Sequence, residues 1–329
     1  MHPFPSRARP RRWTLGLAAA LIAGLAAPLA HAVFPDKPIR IVVPYSAGGG
    51  TDAIARHLAE RLRPKLGQMV MVDNRPGADG VIGTDIVAKA APDGSTLLLV
   101  VAAHLINPLV IAKLPYDTYK DLVGVTMVAE SPLAFIVGAN VPAQNMGELS
   151  ELIKKTPSKY SYGSSESMTR LVGAMYIETQ KLDAVHVPYK GSAPMLADIA
   201  GGTTTLGVSS VVSAKQLVVG GRVKALAITG AKRSPVLPDV PTMGELGMPA
   251  FAEVRTTYSV FAPAGTPRET LERLQKEIAA VLQMPDMKEV LAAQAAYPVG
   301  NSVADFNLQV KRESEFWSGL ARSINLRPE

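Results

Sequence analysis

An α/β clamshell of two lobes, each a mostly parallel sheet flanked by helices, is the fold predicted by this 329-residue sequence. Three observations predict it. Apolar, β-branched runs alternate with helical patterns and are separated by glycine- and proline-rich turns. The apolar runs are continuous rather than alternating, which marks strands buried on both faces and hence parallel sheets between layers of helices. The alternation is broken twice, at 124–138 and again at 234–249, so the chain crosses between lobes more than once. At about 100–200 residues per domain, the length suffices for two separate cores.

The first strand, Ile39 to Val43, stops at Pro44. Gly48, Gly49 and Gly50 follow, and Thr51-Asp52 opens an alanine-rich helix. Glycines let the backbone pass close to a bound group, and the N–H groups of a helix's first turn carry partial positive charge, so this geometry suits an anion. Val70 to Val72 form a strand ending at the turn-rich Asp73 to Gly77, Gly80 to Ala91 a second helix, and Thr96 to Val101 a third strand. Two apolar runs between Gly124 and Gly138, parted by Glu130-Ser131-Pro132, read as the crossing, and a helix is expected over Met146 to Lys155. The second lobe alternates again. Its strands are expected to end at Ser164, Tyr189, Val208 and Thr229, with helices at Thr169 to Thr179, Pro194 to Ala200 and Ala214 to Val219. Tyr258 to Ala262 marks the return, and three charged-faced helices complete the chain, with Glu272 and Lys276 spaced as an i, i+4 pair. The division expected is 1–32 as an export signal, 33–130 with 256–329 as the first lobe, and 131–255 as the second.

Residues 1–32 have the composition of a signal peptide: Arg7, Arg9, Arg11 and Arg12 precede an uncharged run from Leu15 to Ala27, and Ala30-His31-Ala32 offers a cleavage site after Ala32. A retained membrane anchor is the competing reading. The run is short for one and is broken at Pro28. General secretion is the default route, with Arg11-Arg12 raising the twin-arginine alternative. Without the four arginines, 30 basic and 28 acidic residues remain, so the net charge falls from +6 to +2. No basic run with interleaved aromatics is left to bind nucleic acid. The chain has no cysteine, which excludes disulfides and thiolate chemistry. No cofactor or metal site is expected, since His57, His104 and His186 are scattered.

The glycine loop also satisfies a dinucleotide pattern, G-x-G-x-x-A over Gly48 to Ala53 with Asp73 about twenty residues on. Export and a carboxylate at Asp52 beside the pyrophosphate oppose that use. Asp52 has a second reading, as a first-turn acid that complements the helix dipole. No G-x-S-x-G is present, and His57 and His186 read as structural. His104 follows the third strand at its carboxyl end, where it can border a cleft. In the second lobe, Tyr162 to Thr169 form a polar strand-to-helix loop whose hydroxyls either meet a ligand or cap the next helix. Tyr189, and Ser209 with Ser210, also lie at strand carboxyl ends, which is where a hinged clamshell binds its ligand.

Several ordered motifs then form a family likeness: the export signal, PDKPIRIVVPYSAGGGTDAIAR, DNRPGADGVIG, PDGSTLLL, INPLVIAKLPYDTYKDL, HVPYKGSAPMLADIAGG, KALAITGAKRSPVLPDVPTMGELG and VFAPAGTP. Over nearly its whole mature length the chain resembles the Bug-type solute-binding proteins of tripartite tricarboxylate transporters. The resemblance implies a monomeric periplasmic receptor of Venus-flytrap form that binds a small organic carboxylate between its lobes and docks on a membrane permease. It further implies that Tyr45 to Asp52 forms one jaw, with Tyr45, Ser46, Ala47, Gly48, Gly49, Thr51 and Asp52 at the ligand. Loops of the second lobe form the other, with Ser164, Ser165, Ser167, Thr169, Tyr189 and Ser209, and His104 stands at the border. A Cβ branch at Gly49 is expected to obstruct the first jaw.

The sequence departs from the family in the second jaw. Relatives usually have a glycine-rich loop of the type GxGSxxH, whereas Ser165 to Arg170 lacks those glycines and the histidine, and Thr257 replaces a frequent Trp. Glu166 beside an anionic ligand is unfavourable unless Arg170 pairs with it or it points away, which suggests a solute uncharged at one end or bearing an amine or amide. The alternatives from other classes are an exported hydrolytic enzyme using His104 and a sensor that presents solute to a membrane receptor.

Overall fold

The structure, a computed structural model, describes residues 34–323 together with His2 and Pro328. The expected signal peptide lies outside the described residues. In the first lobe, β1 (Ile39–Val43), α1 (Gly50–Leu66), β2 (Val70–Asn74), α2 (Val81–Ala88), β3 (Thr96–Val101), α3 (Ala103–Val110) and β4 (Leu122–Ser131) follow in order. The second comprises β5 (Leu133–Gly138), α4 (Met146–Lys155), β6 (Ser161–Ser164), α5 (Ser167–Thr179), β7 (Val185–Pro188), α6 (Ser192–Gly201), β8 (Leu206–Ser210), α7 (Val211–Val219) and β9 (Val223–Ile228). The chain returns through β10 (Thr256–Pro263), α8 (Arg268–Leu282), α9 (Pro285–Ala293), β11 (Tyr297–Pro298) and α10 (Val303–Ser323).

The strands form two sheets, ordered β11-β4-β10-β3-β1-β2 and β7-β6-β8-β5-β9. Both are mixed, which corrects the expectation of mostly parallel sheets. β1 runs parallel to β2 and β3, and β6 parallel to β7 and β8. The strands that carry the chain between lobes pair antiparallel: β10 with β3 and β4, and β5 with β8 and β9. A parallel neighbour requires a helical crossover within one sheet, and strands arriving from the other lobe have none.

Burial on both faces is as the continuous apolar runs predict. Ile41 and Val43 pack with Leu58 of α1 and Leu274 of α8 on one side of the first sheet, while Val42 packs with Leu98, Val100 and Phe261 on the other. Helix α3 was not legible as a helix, because Pro108 interrupts the pattern; its Ile106 and Val110 pack with second-lobe residues such as Val172. Within α10, Phe306 joins the first lobe's core and Trp317 joins the second's. Glu272 pairs with Arg268 at 2.7 Å, one turn N-terminal, instead of with Lys276.

The two crossings lie side by side. Pro132 alone separates β4 from β5, Thr256 of β10 pairs with Ser131, and Thr229 exchanges two hydrogen bonds with the Leu133 backbone at 2.8 and 2.9 Å. Arg255 on one crossing meets Glu130 on the other at 2.6 Å. Two adjacent connections define a hinge axis. They also bring the carboxyl ends of β1 and β3 to face those of β6, β7 and β8.

Candidate ligand-binding site

The first lobe contributes a glycine loop braced from within. Gly48 takes a φ of +84°, in the left-handed region that favours glycine, and turns the chain toward α1. Asp52, only 3% exposed, holds the turn. One carboxylate oxygen accepts from the Gly48 N–H and from Arg56 Nε, both at 2.9 Å, and the other from Asn74 Nδ2 at 3.0 Å. Asn74 Nδ2 also donates to the Tyr45 carbonyl at 3.2 Å. Burial disfavours the Asp52 charge, but the hydrogen bonds from Arg56, Gly48 and Asn74 hold the carboxyl below its usual range. The first-turn N–H groups of α1 have no acceptor within the helix and so present positive potential beside this loop.

The second lobe presents three helix N-termini together, because β6, β7 and β8 each end directly into a helix. Thr169 in the first turn of α5 pins the loop before it, its hydroxyl accepting from the N–H groups of Ser165 at 3.0 Å and Glu166 at 3.2 Å. Gly191, with φ +123°, starts α6 with no side-chain cap, and Ser210 caps α7 by accepting from the Ser213 N–H at 3.2 Å. The Ser165 and Ser192 hydroxyls are hydrogen-bonded to each other at 3.2 Å.

A cavity of about 240 Å³ lies between the lobes, walled by Val101, Thr256 and Tyr258 from the first and by Glu166, Ser192 and Ser210 among residues of the second. Glu166 and Ser165 also wall a neighbouring cavity of about 360 Å³, where Asp79 faces Ser167, Arg170 and His186. Asp79 crosses the cleft: its carboxylate accepts from the Ser167 hydroxyl and from the Ser167 N–H, the latter at 3.3 Å. Burial, and then the Asp79 charge, push the Glu166 carboxyl up to about 7. The Tyr258 hydroxyl is pushed up to about 12 by burial and by Glu166, and the Tyr45 hydroxyl is raised well above its usual value by burial, Asp79 and Glu166. Cavities of about 430 Å³ behind the hinge and about 550 Å³ beside α10 are larger, but neither is lined by the N-termini of α5, α6 or α7.

The sequence profile of the tripartite tricarboxylate transporter family receptor matches residues 54–326. The chain belongs to this receptor family. Its family relative BugT of Bordetella pertussis is 34% identical over 309 residues, covering 93% of this chain and 94% of that protein. An R. palustris family structure solved with adipate superposes with a TM-score of 0.80 at 33% identity, over 90% of this chain and 100% of that one. MatC from Rhodopseudomonas palustris, with bound malate, gives a TM-score of 0.76 at 28% identity over 88% and 100%.

Within this receptor fold, the expected site residues separate into groups. Ser165 and Thr169 line the interlobe cavity, and Ser164, Ser165, Ser167 and Tyr189 line its neighbour. Ser46, Ala47, Gly48 and Gly49 are exposed on the loop, while Tyr45 turns its hydroxyl inward, where it is buried without a hydrogen-bond partner. Thr51 is buried in α1. Asp52 is a brace for the loop, which favours its reading as a structural acid. Tyr189 directs its hydroxyl away from the cleft to Asp198, at 2.8 Å, and to Thr204. Ser209 is fully buried and lines neither cavity.

His104 is placed in α3 rather than at a cleft border, 2% exposed, edge-on to Phe261 at 5.0 Å, and burial lowers its pKa to about 4. It is therefore held neutral within the core. Gly49 has an ordinary φ of −78°, and an added Cβ would meet nothing closer than 3.6 Å, so Gly48 is the constrained glycine of the loop. The cavity residues not anticipated are Thr256, Tyr258 and Ser192, and of the strand-end pair Ser209-Ser210 it is Ser210 that lines the cavity. Ser210, followed by Ser213 at the start of a helix, carries an N-cap signal that separates it from Ser209.

Proposed function

We propose that this receptor captures a small carboxylate-bearing solute between its lobes in the periplasm and delivers it to the membrane permease of a tripartite tricarboxylate-type transporter. The observation behind this function is the convergence of three second-lobe helix N-termini on a cavity roofed by the first lobe. Oriented first-turn N–H groups favour negative charge without requiring a basic side chain. The relatives solved with adipate and malate support a carboxylate as the ligand.

Binding is passive: only the closed state engages both jaws, so the solute draws the equilibrium toward closure. The site comprises the loop from Tyr45 to Gly49, with Ser165, Thr169, Ser192, Ser210, Thr256 and Tyr258. The lobes are taken as 33–130 with 256–329, and 131–255, with α10 spanning both. The chain acts as a monomer, exported through residues 1–32, and performs no bond chemistry on its ligand. Among the described residues, no helix is long and apolar enough to cross a membrane.

Calorimetric titration of the refolded, ligand-free protein with mono- and dicarboxylates tests this function. The expected result is 1:1 binding of at least one carboxylate, recovered chemically unchanged after prolonged incubation. Binding of none, or turnover of a bound ester or amide, would overturn it.

A further inference from the structure

The three second-lobe helix N-termini are not equivalent. That of α5 is already occupied by the chain's own carboxylates. Asp79 reaches across from the first lobe to accept from both the N–H and the hydroxyl of Ser167, and Glu166 stands at the N-cap position. The N-terminus of α6, opened by Gly191 without a side-chain cap, and that of α7 at Ser210 carry no acid in their first turns. All three border the same small cavity, through Thr169 of α5, Ser192 of α6 and Ser210 of α7. One side of the cavity is thus electropositive and the other carries negative charge.

The roof adds a second, independent sign of a polar ligand. Tyr258 is 8% exposed and Thr256 6%, both line the cavity, and neither side chain makes a hydrogen bond among the described residues. Both hydroxyls are therefore available to hydrogen-bond a polar group in the cavity. Glu166 stands in a capping box with Thr169 at the start of α5, and the influences on its carboxyl are burial and the Asp79 carboxylate. A second carboxylate brought to this side would meet the Glu166 carboxylate, whereas an ammonium group would pair with it.

We infer that the ligand is a zwitterion, an amino-bearing carboxylate whose carboxylate lies at the N-termini of α6 and α7 and whose ammonium group is received by Glu166, with the hydroxyls of Thr256 and Tyr258 completing its hydrogen bonds. Glu166 is therefore the residue that selects against dicarboxylates. This inference rests on the proposed carboxylate-capture function and specifies its ligand class.

The test is calorimetric titration of the full chain with matched pairs that differ in one amino group: L-glutamate with glutarate, L-aspartate with succinate, and 4-aminobutanoate with butanoate. In the native protein, the amino member of at least one pair is expected to bind at least tenfold more tightly than its partner. In Glu166→Gln the preference falls below threefold, while Ser192→Ala weakens both members alike. Tighter binding of the amine-free members overturns this inference and leaves the capture function standing. An undiminished preference in a folded Glu166→Gln overturns the role of Glu166. Binding of neither member of any pair overturns this inference, and a broader carboxylate panel that also fails overturns the capture function with it.

Discussion

In the first lobe the acid at the cleft, Asp52, faces inward, with Gly48, Arg56 and Asn74 hydrogen-bonded to it. In the second lobe the corresponding acid, Glu166, faces the cavity, and its carboxyl is raised by burial and by another carboxylate, that of Asp79. Both acids stand at the start of a helix that follows a strand, yet one is held ionised below its usual range and the other is pushed up to about 7. The difference lies in what the surrounding chain supplies. A buried carboxylate ringed by hydrogen-bond donors becomes a brace, and one that faces a cavity beside a second acid becomes a group that a ligand can satisfy. The first jaw is accordingly a fixed platform and the second a selective one.

The largest expected effect on this contrast is at the brace. Asp52→Ala leaves Asn74 and the Gly48 N–H without their acceptor and is expected to cost about 2–3 kcal/mol of stability, with loss of solute binding. Urea unfolding and calorimetry measure both, and a loss under about 1 kcal/mol would show that the platform does not depend on this carboxylate.

Glu166→Gln is expected to act in the opposite sense and with pH. The native carboxyl holds a proton up to about 7 while the unfolded chain releases it near 4.5, the ordinary glutamate value. The stability tied to that proton is therefore fully present below about 4.5 and is lost as pH rises to about 7, with Asp79, Tyr45 and Tyr258 as the ionisable neighbours. Relative to the native protein, the variant should gain roughly 2–6 °C in Tm at pH 8 and little at pH 4.5. A pH-independent difference would mean that Glu166 is not buried as a proton-holding group.

Within the glycine loop, Gly48→Val is expected to cost about 2 kcal/mol through its left-handed backbone, and Gly49→Val less than about 0.5 kcal/mol. Equal effects in thermal unfolding would remove the constraint assigned to Gly48. The smallest effect is at a helix cap: Ser210→Ala should lower stability by about 1 kcal/mol by removing the acceptor for the Ser213 N–H. It should also weaken carboxylate binding, because the same N-terminus borders the cavity.

Much of the candidate site was legible because it follows from local pattern. The turn at Gly48 to Gly50, the polar loop from Ser164 to Thr169 and the strand ends at Tyr189 and Ser209-Ser210 were all visible as strand-to-helix junctions. Choosing within them was harder. Ser209 and Ser210 are adjacent, and strand alternation sends them to opposite faces without saying which face meets the cleft. Asp52 had both a structural and a ligand reading, and the Arg56 at i+4 was a sequence signal for the structural one. Thr256 and Tyr258 lie on a strand whose partners arrive from distant parts of the chain, so no local feature marked them.

The sequence by itself determined the α/β alternation, the two lobes and the family, because periodicity, turn residues and ordered motifs are properties of neighbouring positions. It also marked Glu166 as anomalous beside an anion. Only the tertiary structure decided that His104 is locked in the core, that Asp79 crosses to Ser167, and that Glu166 faces the cavity near a second acid. Those outcomes depend on how two separately built lobes meet at the hinge. Burial and charge at that meeting are sums over residues far apart in the chain, and no local pattern encodes them.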